Sequence, residues 1–335
     1  MESMRAWTTD LEHHRVEPGR KPVPTPAADE VLVKVLACGV CRTDLHVVDG
    51  ELAPHHPAVT PGHQVVGSVV RLGIDVGQLR LGDLVGIAWL RRTCGACQWC
   101  QAGRENLCPQ SQYTGWDADG GFAEYATVPE SFAYLLAEGS DPVETAPLLC
   151  AGIIGYRALT RAALPPGGRL GLYGFGSSAH ITAQLALAAG AEVFAMTRGE
   201  QSQALARTLG ASFVGEADAV PTEPLDSAII FAPAGTLVPP ALRATARGGT
   251  VVLAGIHVSR IPALDYDSTL FYERDLRSVT SNTRTDGRDF LKIAHNLGIT
   301  PSVTAYPFGQ VDSALDDLRA GSASGSLVID MTLPG

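Results

Sequence analysis

The sequence predicts an α/β chain of two domains, a β-barrel-like domain and a doubly wound parallel sheet with helices on its faces. Three observations carry this expectation. The length, 335 residues, suits about two domains of ordinary size. Up to about residue 150, short β-rich runs alternate with loops bounded by glycine or proline. Beyond it, strand-like and helix-like segments alternate, which is the pattern of a parallel sheet. A hydrophobic fraction of 45% and a charged fraction of 18% fit a folded core.

In the first part, 31–35 (VLVKV) reads as a strand and leads into the polar, cysteine-bearing stretch ACGVCRTDLH. Segments 64–72, 83–90 and 122–128 are β-rich in turn, and few convincing helices appear. The pattern changes near Cys150. Segment 151–163 has helical composition and stops at Pro165-Pro166. Then 169–173 is a strand, 179–189 a helix, 192–197 a strand and 201–209 a helix. Apolar, β-branched strands follow over 227–232 and 250–255. Helices over 286–297 and 311–318 and a strand over 326–330 come last. No internal repeat or low-complexity segment interrupts this order.

Aspartate and glutamate outnumber lysine and arginine by 35 to 25, for a formal charge of −10. With no dense basic run, this balance argues against nucleic-acid binding. The first twenty residues are polar and lack the apolar core of a signal peptide, and no run of eighteen apolar residues occurs. The expectation is a cytoplasmic chain with no membrane segment. Seven cysteines are too sparse for a disulfide scaffold, and the number is odd.

Four of them, Cys94, Cys97, Cys100 and Cys108, are spaced C-x2-C-x2-C-x7-C. Close pairs of this kind converge their thiolates on one tetrahedral ion, and four sulfurs with no open position favour structural zinc. An iron–sulfur cluster is the chemical alternative. Elsewhere, Cys41, His63 and Cys150 would make a Cys2His set with a fourth position open, the composition of a catalytic zinc. Spacing alone supports that grouping weakly, because single Cys and His residues are often structural.

Gly174-Phe175-Gly176-Ser177-Ser178-Ala179 follows a strand and opens a helix. It fits G-x-G-x-x-G/A. Gly174 permits the tight turn, Gly176 lets the backbone approach a pyrophosphate, and small Ala179 lets helix pack on strand. The helix start at Ser177 offers N–H groups and positive dipole to phosphates. At the end of the next strand, where an acidic residue holds the ribose of NAD, stand Thr197 and Arg198. A hydroxyl and a guanidinium suit a 2′-phosphate, so NADP(H) is favoured over NAD(H). The plain alternative is that Arg198 is a solvated loop residue.

The segments CGVCRTDLH, TPGHQVVGSVVRLG, the four-cysteine lobe, DGGFAEY, PLLCAGIIGYRAL and GFGSSA occur in this order. On them, the sequence resembles a zinc-dependent, medium-chain alcohol dehydrogenase along almost its whole length. The resemblance implies a GroES-like β-barrel catalytic domain over 1–150 and 283–335, with its structural zinc lobe at 91–110. A Rossmann dinucleotide-binding domain over 151–282 would interrupt it. The resemblance also implies a catalytic zinc on Cys41, His63 and Cys150, with Asp44 orienting His63. Thr43 would accept the alcohol proton and His46 relay it to solvent, through the cofactor ribose between them. Cys38 is left without a metal role and reads as a small buried hydrophobe.

Trp89 and Trp116 match pocket-lining positions in relatives, although either could equally belong to the core. The implied partners are a small-molecule alcohol or aldehyde and further copies of the chain, as homodimer or homotetramer, through an edge strand near 276–281. Two other activities stay open. One is NADPH-dependent reduction of the C=C bond of unsaturated carbonyl compounds; the other is a non-catalytic cofactor-binding regulator. Keeping Thr43 and His46 argues for carbonyl chemistry, which needs a proton path to oxygen.

The chain departs from the family pattern in three places. Gln64 stands where glutamate usually follows the ligating histidine, and Ser326 where an arginine often precedes the terminal strand. Loss of both members would remove a charge pair without stranding either partner, leaving a neutral Gln64–Ser326 neighbourhood. Ile154 replaces a frequent threonine four residues after Cys150.

Overall fold

In a computed structural model, which describes residues 2–321 and 324–334, the chain divides into two units. The first runs to Cys150 and includes Ser281–Leu291 and the segment from Ser302 onward. The second comprises Ala151–Thr280 and Lys292–Pro301. The stretch 283–335 therefore does not return to the first unit as one piece. Residues 292–301 stay with the second, where Gln184 donates from Nε2 to the Thr300 carbonyl (3.1 Å) and accepts from the Thr300 N–H (3.2 Å).

The first unit opens with a hairpin of β1 (Ser3–Asp10) and β2 (Arg15–Pro22). Strand β3 (Glu30–Val40) leads through Cys41 into helix α1 (Arg42–Val48). Next come β4 (Gln64–Leu72) and β5 (Leu84–Ile87). The short β6 (Leu90–Arg92) pairs with β7 (Gln112–Tyr113) across the cysteine lobe. β8 (Tyr125–Pro129) and β9 (Ala133–Leu135) precede Cys150.

In the second unit, α2 (Ala151–Ala162) is followed by β10 (Arg169–Tyr173), α3 (Ser177–Ala188), β11 (Glu192–Met196) and α4 (Glu200–Thr208). β12 (Phe213–Gly215), β13 (Leu225–Ile230), α5 (Val238–Ala244), β14 (Thr245–Leu253) and β15 (Asp275–Ser278) complete the alternation. Then come α6 (Arg284–Leu297), whose residues from Lys292 belong to the second unit, and, in the first unit again, β16 (Val303–Pro307), α7 (Val311–Ala320) and β17 (Ser326–Asp330).

The main sheet of the first unit has the order β16-β17-β3-β4-β5-β9, with β8 also on β3. One edge of β3 serves two partners: residues 30–34 pair with β8 and 37–40 with β17, while β4 runs along the other edge. A register shift between Val35 and Ala37 marks the bend that hands β3 from one neighbour to the next. Val31, Val33, Val35, Val65, Val69, Val85, Ile87 and Phe122 fill the core beneath it. Helix α7 closes that core with Val311, Ala314 and Leu315, apolar at the i, i+3, i+4 spacing of one helix face. Each such valine, leucine or isoleucine contributes roughly 1.5–3 kcal/mol by leaving water.

The sheet of the second unit is parallel throughout, in the order β12-β11-β10-β13-β14-β15. Counted from β10, this is the 3-2-1-4-5-6 order of the dinucleotide-binding fold, whose ligands bind where the order reverses. Alternate residues serve opposite faces. Leu170, Leu172, Val193, Ala195 and Val252 pack with α2, α3 and α4, whereas Tyr173, Phe194, Met196, Ile230 and Val251 pack with α5. Both faces are buried, which is why these strands read as continuous apolar runs.

Several local expectations change. The N-terminal residues form a hairpin, with Met4, Ala6 and Trp7 buried between polar neighbours. The segment 83–90 is interrupted at Ala88-Trp89, and the strand expected over 122–128 lies at Tyr125–Pro129. The first unit also holds α1, in a stretch expected to be loop. Its Thr43, Val47 and Val48 are weak helix formers, and an N-terminal side-chain bond and burial override that propensity.

A buried ion pair ties β6 to β3. Arg91 Nη2 lies 2.7 Å from Glu30 Oε1, and Nη1 donates to the Thr127 carbonyl of β8. Removing Arg91 leaves the buried Glu30 carboxylate to the more distant Arg92, at 3.7 Å, and the Ala27 N–H. We expect Arg91→Met to destabilise the first unit by about 3 kcal/mol, seen as a lower denaturant midpoint, and Arg91→Met with Glu30→Leu to recover part of it.

Candidate active site

Three loops deliver the Cys2His set. Cys41 is the N-cap of α1, His63 precedes β4, and Cys150 ends the turn over Ala146–Leu149. The Cys41 and Cys150 sulfurs and a His63 ring nitrogen all lie within 4.8 Å of one another. Asp44, the third residue of α1, reaches back to accept from the Cys41 N–H at 2.8 Å with Oδ2. Its Oδ1 accepts from the Gly62 N–H and meets His63 Nδ1, both at 3.0 Å.

His63 is fully buried, and its Nε2 has no hydrogen-bond partner. A buried imidazole held by a carboxylate at one nitrogen, with the other orphaned beside two thiols, fits a zinc ion. Charge and hydrogen bonding shift the protonation of all three groups. Burial disfavours a charged His63 ring, yet Asp44, by charge and hydrogen bond, raises its pKa to about 10. Hydrogen bonding with Cys150 holds the Cys41 thiol well below its ordinary value against the opposing effect of burial. The same contact and burial push Cys150 up.

The four cysteine sulfurs of the lobe also lie within 4.8 Å of one another. Cys94 and Cys100 are 3.9 Å apart and Cys97 and Cys100 3.6 Å. Tetrahedral zinc with Zn–S bonds of about 2.3 Å spaces its sulfurs about 3.8 Å apart, so this set fits a closed zinc site. Backbone N–H groups point at the sulfurs, from Cys97 to Cys94 at 3.3 Å and from Gln110 to Cys108 at 3.4 Å. The N–H groups of Ala96 and Cys97 lower the Cys94 thiol to a pKa of about 6. The described cysteines form no disulfide.

Thr43 is buried on α1, and Cys41 Sγ lies 3.6 Å from its Oγ1. His46 stands three residues further on, so both share one face of the helix. Its Nδ1 is paired with the Glu51 carboxylate, a partner that sequence reasoning missed. Trp89 meets the His63 ring edge-on at 5.1 Å and is itself largely buried, serving core and site together. Trp116 stacks parallel to Trp89 at 6.1 Å between centroids, with Tyr113 5.8 Å and His55 4.3 Å from Trp116. Tyr113 and His55 were not anticipated, because only the β6–β7 pairing brings Tyr113 to Trp89.

In the second unit, Gly174 ends β10 with φ +87°, and a Cβ there would lie 2.9 Å from the Ala232 nitrogen. A Cβ on Gly176 would meet nothing within 4 Å, leaving open space over the helix start, as a dinucleotide pyrophosphate requires. Helix α3 begins at Ser177 with Gly176 as its N-cap, and Ala179 is buried against the sheet. Thr197 is buried rather than open, and its Oγ1 accepts from the Phe175 N–H at 3.2 Å, while Arg198 is exposed. Gln64 and Ser326 are both buried, on the strands flanking β3: Gln64 pairs with Gly39, and Gly39 with Val328.

Family models match two stretches of the chain: the alcohol dehydrogenase GroES-like domain over 27–138 and the zinc-binding dehydrogenase domain over 179–296. A probable alcohol dehydrogenase AdhA of Mycobacterium tuberculosis is 58% identical over 312 residues, covering 92% of this chain and 90% of its own. Among solved structures, a cinnamyl alcohol dehydrogenase of Sorghum bicolor is 28% identical, with a TM-score of 0.89 over 98% of both chains. A zinc-binding dehydrogenase of Sinorhizobium meliloti, solved with NADP, is also 28% identical, with a TM-score of 0.87 over 98% of this chain and 100% of that one. The chain belongs to the zinc-dependent medium-chain alcohol dehydrogenase family, with its GroES-like and Rossmann domains. It is an alcohol oxidoreductase that uses zinc and a nicotinamide cofactor.

Asp44 holds the buried His63 ring by its Nδ1. Replacement by asparagine should weaken zinc retention at the Cys2His set by roughly 10–100-fold, measured by competition with a chromogenic chelator, with the four-cysteine site unaffected.

Proposed function

We propose that the chain interconverts alcohols and aldehydes with NADP(H), using one catalytic zinc on Cys41, His63 and Cys150. A second, structural zinc sits on Cys94, Cys97, Cys100 and Cys108. The observation that carries the reading is the buried His63, held by Asp44 at one nitrogen and orphaned at the other beside two thiols. Zinc bound there supplies Lewis-acid polarisation of the substrate oxygen, and the nicotinamide carries the hydride.

The chain's own residues handle the proton and the fit. Thr43 Oγ1, beside the Cys41 sulfur, takes the alcohol proton, and His46 carries it outward from the same helix face. Trp89 and Trp116 present parallel indoles that form one apolar wall and favour flat or unbranched substrates. Phosphate recognition rests on Gly174, Gly176, Ser177 and Ala179. Thr197 and Arg198, at the end of β11, remove the carboxylate that would repel a 2′-phosphate. Copies of the chain associate as a homodimer or homotetramer through β15, which ends the six-stranded sheet with one edge open.

The deciding experiment is cinnamaldehyde reduction with NADPH. Cinnamyl alcohol is the expected product, lost in Cys41→Ser; the saturated aldehyde as main product would overturn the reading in favour of C=C reduction. Full turnover of alcohols by Cys41→Ser would remove the zinc mechanism. For the cofactor, Thr197→Asp should shift the NAD-to-NADP ratio of kcat/KM by roughly tenfold or more, about 1.4 kcal/mol. An unchanged ratio would show that residue 197 does not face the ribose.

A further inference from the structure

We propose that His55 is a positioning residue: held by Asp117, it clamps the Trp116 indole and so sets a preference for flat aromatic alcohols over small aliphatic ones. This rests on the reading above that Trp89 and Trp116 form the substrate wall. Residues 53–58 are exposed and lie in neither helix nor strand, so their path depends on side-chain ties. Two bonds bracket the loop. The Leu52 N–H donates to the His46 carbonyl at 3.1 Å, and the Val59 N–H to Thr9 Oγ1 at 3.0 Å. Between them, three contacts converge on Trp116 and Asp117. Trp116 Nε1 donates to the Ala53 carbonyl at 3.1 Å. His55 Nδ1 lies 2.6 Å from Asp117 Oδ1, and His56 Nε2 donates to the Asp117 carbonyl at 3.0 Å.

Asp117 is itself fixed. Its Oδ2 accepts from the Tyr113 N–H at 2.7 Å, and its own N–H donates to the Tyr113 carbonyl at 2.9 Å. Gly115, at φ +78°, closes the same turn, its N–H donating to the Ala118 carbonyl at 2.7 Å. The carboxylate thereby holds the His55 ring against the adjacent indole, with centroids 4.3 Å apart and planes 23° from parallel. Trp116 therefore has stacking partners in the loop, through His55, as well as in the wall, through Trp89 and Tyr113. A crevice lined by Leu52, Pro54, Val59 and Trp116 leaves the indole room to turn about its side-chain bonds. Without His55 the indole samples several rotamers, and a ring laid against it must first restore one of them. An aromatic alcohol meets that cost because it contacts the wall; ethanol is too short to do so. The cost falls on binding rather than on the chemical step.

The test measures kcat and KM for cinnamyl alcohol and for ethanol with the zinc-loaded enzyme at saturating cofactor. The variants are His55→Ala, His55→Phe and Trp116→Ala, beside wild type. His55→Ala is expected to raise KM for cinnamyl alcohol about fivefold, the size an aromatic pair contributes, with kcat and both ethanol constants unchanged. His55→Phe keeps a stacked ring without the carboxylate link and should recover part of the loss. The His55 side chain is 47% exposed, so its variants should keep the wild-type melting temperature and zinc content. If Trp116→Ala raises KM for cinnamyl alcohol while His55→Ala does not, the role of His55 is overturned and the wall stands. An equal loss for both alcohols, or a fall in kcat, makes His55 a general structural residue and overturns the proposal. No recovery in His55→Phe also overturns it. If Trp116→Ala leaves both alcohols unchanged, the wall itself fails.

Discussion

The Asp44 carboxylate holds together two pieces of chain that nothing in their sequence separation would align: the end of β3 with Cys41, and the loop that carries His63. One oxygen secures the Cys41 N–H; the other secures the Gly62 N–H and the imidazole of His63. A single buried group thus caps a helix, fixes a loop and sets which imidazole nitrogen is left without a hydrogen-bond partner. Charge-assisted bonds of this kind are stronger than neutral ones, and burial makes the loss of any one costly. The orientation of α1 follows from this arrangement, and with it the face that carries Thr43 and His46.

The signals most legible in the sequence were local in register. Four cysteines within fifteen residues, and a glycine loop set between a strand and a helix, keep their meaning whatever the rest of the chain does. The parallel sheet was legible because strands buried on both faces cannot disguise their composition. The hairpin of β1 and β2 was hidden by arginine, threonine and glutamate on its exposed face. Helix α1 was hidden by its own β-branched residues. Glu51 was invisible for another reason: its pairing with His46 depends on one left-handed residue, Gly50, and a change of backbone direction there cannot be read from spacing.

In the aromatic stack, one residue serves the core and also borders the candidate site. Trp89 lies in a cluster with Val47 and Val59, yet its edge also bounds His63. Its placement results from the break between β5 and β6, where the chain leaves one sheet and begins pairing with β7. The indole at the edge of His63 is held there by the same packing that gathers Val47 and Val59.

Strand β3 is completed by β17, with Val40 against Leu327 and Gly39 against Val328. Cys41 follows directly after that pairing. On a ribosome the chain emerges in order, so the metal ligands of the first unit and the glycine loop appear long before the strand that closes β3. The sheet carrying Cys41 stays open along one edge until synthesis is nearly finished. This is a high-contact-order closure of the kind that folds slowly and leaves a strand exposed meanwhile. Closure of the sheet that leads into Cys41 is consequently a late event in folding, and the second unit can assemble most of its sheet before it.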